Sequence, residues 1–318
     1  MQLGFSVCYS LFRRLYPAML AEYGDFKSAE RIVRNVHDRY DGVKRNSFDE
    51  GGCDNGISTR ALSAFPNAVA FSGHSHLPLT DDRAVWQGAF TSIGAGAAGM
   101  QCPTAYGRRR WNGGSYYYPQ ERRKLSPPLL TCQNGRGGLF VEIFQDHLIV
   151  HRQSFFYDEP LGKDWAVPLP AAVDGPYDFK RRKATVKPPE FPKGAKIRLE
   201  YLAKAPDSAG ADFRGVKPCL RVSFACASEG GSRVFDYEVK EVRGDGTMKV
   251  KEVFSPGFHF PLTKANVPGE VLLPVEGYVG KNIIRYIVTP RNCFGTAGKP
   301  IVSKKFRVTI SPTCNEVV

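Results

Sequence analysis

The stretch "AFSGHSHLPLTDDRAVWQGAFTSIGAG", residues 70–96, places two of the chain's six histidines on either side of one serine, directly behind a glycine. The apolar run before it, "AVAFSG" at 68–73, reads as a buried strand ending at Gly73. Side chains at i and i+2 of an extended backbone point the same way, so His74 and His76 share one side. Gly73 permits a sharp backbone turn there. Active-site groups collect at such strand ends because a rigid scaffold holds the loops that leave them. Neutral imidazole binds zinc, manganese or iron, which makes His74 and His76 candidate metal ligands. The following run, "AVWQGAFTSIGAG" at 84–96, is expected to form the next strand, with glycine-rich backbone after it.

Working outward, "STRALSAFP" at 58–66 suits a short helix capped by Ser58 and stopped by Pro66. Residues 1–57 read differently. Ala29, Ile32, Val33 and Val36 fall near one helical face, and the polar, turn-rich "DGVKRNSFDEGGCDNG" follows. Downstream, a long polar loop from about Met100 to Gly138 contains "GRRRWNGGSYYYPQERR". Two alternating runs, "GLFVEIFQ" and "HLIVHRQSFF", joined by Asp146-His147, predict a β-hairpin. "DEPLGKDWAVPLPAAVDGPYDF" at 158–179 reads as a Pro- and Gly-rich connector with a domain boundary near residue 170. Beyond it lie seven short β runs: "AKIRLEYLA", "CLRVSFAC", "RVFDYEVKEV", "MKVKEVFS", "EVLLPVE", "NIIRYIVTPRN" and "SKKFRVTI". Turn residues space them, and they predict an antiparallel sandwich. The expected fold class is mainly β (α+β), with divisions at 1–57, 58–170 and 171–318.

Composition fits this. At 42% hydrophobic and 12% aromatic residues the chain is globular, not disordered. Its 32 glycines and 23 prolines favour short strands and turns. No run of 18 apolar residues is present to span a membrane, and the first residues make a poor signal peptide. The compartment stays open. The net charge of +13 predicts attraction to polyanions. Much of it sits in Arg108-Arg109-Arg110, Arg122-Arg123-Lys124 and Lys180-Arg181-Arg182-Lys183, all expected in exposed loops. Eight cysteines include no C-x-x-C pair, which argues against a cysteine zinc site. Cys102 and Cys132 can close a loop in an oxidising compartment; free, buried thiols are the alternative.

"FSGHSHLPLTDDRAVWQGAFTSIGAG" resembles the last motif of the calcineurin-like metallophosphoesterases, whose signature there is Gly-His-x-His. The resemblance continues through "GGLFVEIFQDHLIVHRQSF" and "LGKDWAVPLP". It reaches "YIVTPRNCFGTAGKPI", which is similar to a β-sandwich module appended to some bacterial members, so it covers roughly residues 58–310. It implies the C-terminal half of a metallophosphoesterase sandwich followed by an antiparallel β-sandwich. It also implies hydrolysis of a phosphate ester at two divalent ions (Mn, Fe or Zn), with His74 on one and His76 on the other. The arginine loop, through Arg108, Arg109, Arg110 and Trp111, is then a candidate substrate contact.

The rest of that family's ligand set has no counterpart. The sequence upstream of residue 74 holds no Asp-x-His and no Gly-Asn-His. Gly24-Asp25 follows no apolar strand, and His37 reads as a surface histidine on a helix. His147, His151 and His259 have no metal-type partners nearby in sequence. Two imidazoles without a bridging carboxylate do not fix a dinuclear centre, so little activity is expected of this chain alone. Either it is the C-terminal piece of an interrupted gene, its first 57 residues read partly out of frame, or it has lost catalysis and kept its sandwich. The rival function is a non-enzymatic module that binds an anionic polymer or a partner protein.

Overall fold

The structure, a computed structural model, describes residues 61–72, 78–95, 110–111, 114–115, 137–205, 218–274, 283–310 and 315–317. The fold is mainly β. Residues 61–63 form a helical turn whose Leu62 packs with Phe65, Ala70 and Phe90. Three strands follow: β1 (Val69–Ser72), β2 (Val85–Gln87) and β3 (Thr91–Gly94), ordered β1-β3-β2. β1 runs parallel to β3, and β2 runs antiparallel to it. The run expected as one strand over 84–96 is therefore two. The chain reverses at Gly88–Phe90, where a Cβ on Gly88 would lie 2.4 Å from the Trp86 ring. Phe90, fully buried, meets that ring edge-on at 5.4 Å.

After a small hairpin of β4 (Arg110–Trp111) and β5 (Gly114–Ser115), a second sheet forms from β6 (Gly137–Ile143), β7 (His147–Ser154), β8 (Glu159–Pro160) and β9 (Trp165–Pro168). β7 is central, pairing with β6, β8 and β9. The expected hairpin is present, with its turn closed by the Phe144 amide donating to His147 O. Leu148 and Val150 of β7 alternate inward and meet Val69, Val85 and Ile93 in one core. The stretch read as a connector contains β8 and β9. Trp165 and Val167 alternate into the same core, and that burial draws the segment into the sheet despite its prolines.

The expected basic loop at 180–183 is instead a helix, α1 (Phe179–Thr185), capped by Asp178 accepting from the Arg181 amide at 2.9 Å. Three of its basic residues, Lys180, Arg181 and Lys183, face solvent; Arg182 turns inward. Two antiparallel sheets then face each other. One is β10 (Arg198–Leu202), β11 (Cys219–Phe224) and β14 (Gly269–Pro274). The other is ordered β13-β12-β15-β16, from β12 (Val234–Arg243), β13 (Met248–Phe254), β15 (Ile284–Asn292) and β16 (Ile301–Val302). Leu220, Val222, Phe224, Tyr237, Val239, Tyr286 and Val288 fill the space between them. The last expected run, 303–310, divides: Phe306 bridges Ile284, and β17 (Val308–Ile310) pairs with β18 (Asn315–Val317).

His259 lies in the buried turn after β13 and is 5% exposed. Among the described residues neither ring nitrogen has a hydrogen-bond partner, and the ring packs on Phe254 and Phe258. Burial, with the Arg233 charge nearby, pushes its pKa down to about 3. The folded chain thus binds fewer protons than the unfolded one between that value and an ordinary histidine pKa of about 6.5. Stability contributed by neutral His259 is present above pH 6.5 and lost as pH falls through that window. His259→Phe should lose about 2 kcal/mol less stability than the parent between pH 6.5 and 4.5 in urea titrations. Equal losses would contradict the assignment.

Candidate functional site at the edge of the first sheet

Parallel pairing aligns the C-terminal ends of β1 and β3, with Ser72 opposite Gly94. At this edge the chain enters 73–77 and, after Ala95, the glycine-rich stretch. Gly73, His74 and His76 lie outside the described residues, as do Arg108, Arg109, Gly24, Asp25, His37, Cys102 and Cys132. Arg110 and Trp111 belong to β4. Among the described residues, no group of three or more His, Cys, Asp or Glu is placed to hold a metal.

Pro78 through Thr80 are buried. Asp81 caps the 3-10 turn at 82–84 by accepting from the Arg83 amide at 2.9 Å. Its carboxylate also takes Arg83 Nε at 2.9 Å and Nη2 at 2.6 Å. Both side chains are buried, and the Arg83 guanidinium lies 4.6 Å above the Phe235 ring of the sandwich.

Asp82 has the more consequential surroundings. Its Oδ1 accepts from Arg152 Nη1 at 3.1 Å and Trp165 Nε1 at 3.5 Å. Its Oδ2 accepts from Ser232 Oγ at 2.9 Å. The Asp82 carbonyl takes Arg182 Nη1 at 2.5 Å, and the same guanidinium reaches Val85 O at 3.1 Å. Burial alone would raise the Asp82 pKa. The charges of Arg152 and Arg182, with the Ser232 and Trp165 hydrogen bonds, outweigh it and hold the carboxyl below its ordinary value. Arg152 also donates to Leu79 O at 3.0 Å and lies 4.3 Å above the Trp165 ring. Gly162 admits it, since a Cβ there would sit 2.5 Å from Arg152 Nη2.

Around this cluster the sandwich grips the first half again. Arg233 donates from Nη2 to Leu161 O at 2.6 Å, and from Nη1 to Phe258 O at 3.2 Å and to Phe260 O. Lys264 pairs with Glu159 at 2.5 Å. Ser232 Oγ lies 3.0 Å from Cys293 Sγ. Burial, and then the neighbouring Asp81 carboxylate, push that thiol up, so it stays protonated and is no nucleophile.

His151, whose sequence neighbours offered no partner, has two in space. Nε2 lies 3.2 Å from Glu142 on β6, and Nδ1 lies 3.0 Å from Asp164. Partial desolvation opposes protonation, but the Asp164 and Glu142 hydrogen bonds win and raise its pKa.

The sequence pattern gives Asp81, Asp82, Arg152 and Ser232 no role, and it puts Arg182 in an exposed basic cluster. One signal was available: adjacent aspartates between apolar runs must find partners if they are buried. No protein-family model, curated protein or solved structure matches the chain.

Asp82→Asn removes the charge that two largely buried guanidiniums face. It should destabilise the chain by about 3 kcal/mol at pH 7, read from the urea midpoint at constant slope. Because the folded pKa is depressed, the difference between parent and variant should shrink as pH falls below about 4. A loss under about 0.5 kcal/mol would mean that the cluster is not energetically coupled.

Proposed function

We propose that the chain carries the Gly-His-x-His portion of a metal-dependent phosphoester hydrolase of the calcineurin-like kind, with His74 and His76 as ligands to divalent metal. The observation that supports it is the parallel β1–β3 pair, which starts the 73–77 segment at the C-terminal edge of a sheet. Ligand-bearing loops collect at such edges. The motif, "FSGHSH", stands at that point in the chain.

Two imidazoles fit part of such a centre. A full one also needs a carboxylate bridging both ions, and bound metal then supplies charge stabilisation and an activated hydroxide. With two ligands, binding is weak and turnover by this chain alone is at background. Exposed Lys180, Arg181 and Lys183 on α1, with the net charge of +13, favour a second reading in which the chain holds an anionic polymer without chemistry.

Titration calorimetry with Mn²⁺ should give a dissociation constant at or above roughly 100 µM, abolished by the His74→Ala/His76→Ala double variant. A chromogenic phosphodiester should be hydrolysed no faster than in buffer with Mn²⁺. Undetectable binding sinks the metal assignment and leaves the polyanion reading. Robust Mn²⁺-dependent hydrolysis lost in His74→Ala would show that the chain supplies further ligands.

A further inference from the structure

The junction between the two halves lies immediately after the paired histidines. Pro78 stands two residues beyond His76, and in the buried stretch that starts there Leu79 and Asp82 are held by groups from elsewhere. Arg152 of β7 holds Leu79 O and the Asp82 carboxylate. Arg182 of α1 holds the Asp82 carbonyl. The third contact, Ser232 Oγ to Asp82 Oδ2, comes from the turn before β12 of the sandwich, 150 residues away in sequence. Phe235 of β12 covers the Arg83 guanidinium. Arg233, between these two residues, reaches Leu161 O behind the same cluster.

We infer that the C-terminal sandwich is a brace for the segment that follows the histidine pair, and that Ser232 and Arg182 are positioning residues acting through Asp82. The sandwich is then neither a tethered binding module nor an independent appendage. The geometry is economical. Two consecutive buried residues, Ser232 at 4% and Arg233 at 5% exposure, face the first half, and from Val234 onward the chain enters the sandwich sheet. A rigid β-sheet thereby fixes a hydroxyl against a carboxylate one turn from the strand edge. Groups that orient ligand-bearing segments affect metal affinity by about 10- to 100-fold in known sites. The functional meaning of the brace rests on His74 and His76 binding metal; the brace itself does not.

The test uses the full chain in three forms: parent, Ser232→Ala, and Ser232→Thr, which keeps the hydroxyl. Amide hydrogen exchange of 78–85 should speed up at least tenfold in Ser232→Ala and return toward the parent rate in Ser232→Thr. Exchange in β11 and β14, remote from the junction, should not change. The Mn²⁺ dissociation constant should rise about tenfold in Ser232→Ala and recover in Ser232→Thr, with the thermal midpoint moving by no more than a few degrees. Unchanged exchange at 78–85 in Ser232→Ala overturns the brace. So does uniformly faster exchange across the sandwich, which would mark a general loss of stability. If the parent binds no Mn²⁺, the metal reading fails while the exchange arm still decides the brace.

Discussion

The carboxylate of Asp82 is the group on which the described arrangement turns. Its side chain is 17% exposed, and a charge so far removed from water costs several kcal/mol unless opposite charge and hydrogen bonds replace the solvent. Its partners come from four places, one of them Trp165 on β9, which donates at 3.5 Å. Arg152 rises from β7, Arg182 from α1, and Ser232 from the entrance to the sandwich. None can be moved away without leaving a buried ion short of a partner. The polar cluster therefore dictates how β7, α1 and β12 meet, where apolar packing alone would tolerate several arrangements.

Each arginine near it has a second constraint. Arg152 lies over Trp165, and Arg182 lies 4.7 Å from the Phe294 ring centroid. A guanidinium stacked on an aromatic face keeps its donors in the ring plane's surroundings, so its hydrogen bonds are directional as well as charged. Phe179, Phe235, Phe254, Phe258 and Phe294 then close an apolar layer over this side of the junction. Burial of those rings lowers the local dielectric, which strengthens every ion pair beneath them and makes each unpaired one costlier.

The sandwich deals with its own edges by a different device. β13 ends its sheet, and on it Lys249 and Lys251 stand opposite Glu241 and Val239. Val239 points into the core, so Lys251 starts on the same side; its Nζ reaches across to Leu272 O on β14 at 3.4 Å. Lys249 and Lys251 are both exposed, and charged side chains on an exposed edge strand make pairing with a further strand costly. Beside it, the buried Asp236 and the part-buried Glu252 hold Arg291 at 2.7 Å each, tying β12, β13 and β15 together on the opposite face.

Local pattern determined much of this protein. Alternation alone marks β7, whose Leu148 and Val150 face inward, and six of the seven runs from residue 195 on, which supply sandwich strands; the last run, 303–310, instead gives the Phe306 bridge and β17. Period-2 burial is a property of the strand itself. The sequence Gly73-His74-Ser75-His76 is equally local, four adjacent residues that lie outside the described ones. Other features depended on distant partners. A glycine within an apolar run gives no sign of whether the strand continues, and at Gly88 the proximity of the Trp86 ring and the burial of Phe90 decided for a turn. Four consecutive basic residues look solvated; Arg182 turned inward because carbonyls from 82 and 85, about a hundred residues earlier, lay within its reach. A serine in "GGSR" carries no sequence signal for a buried carboxylate 150 residues upstream. Strand periodicity is written in neighbours along the chain. Charge compensation is settled only when the fold brings together groups that no local pattern relates.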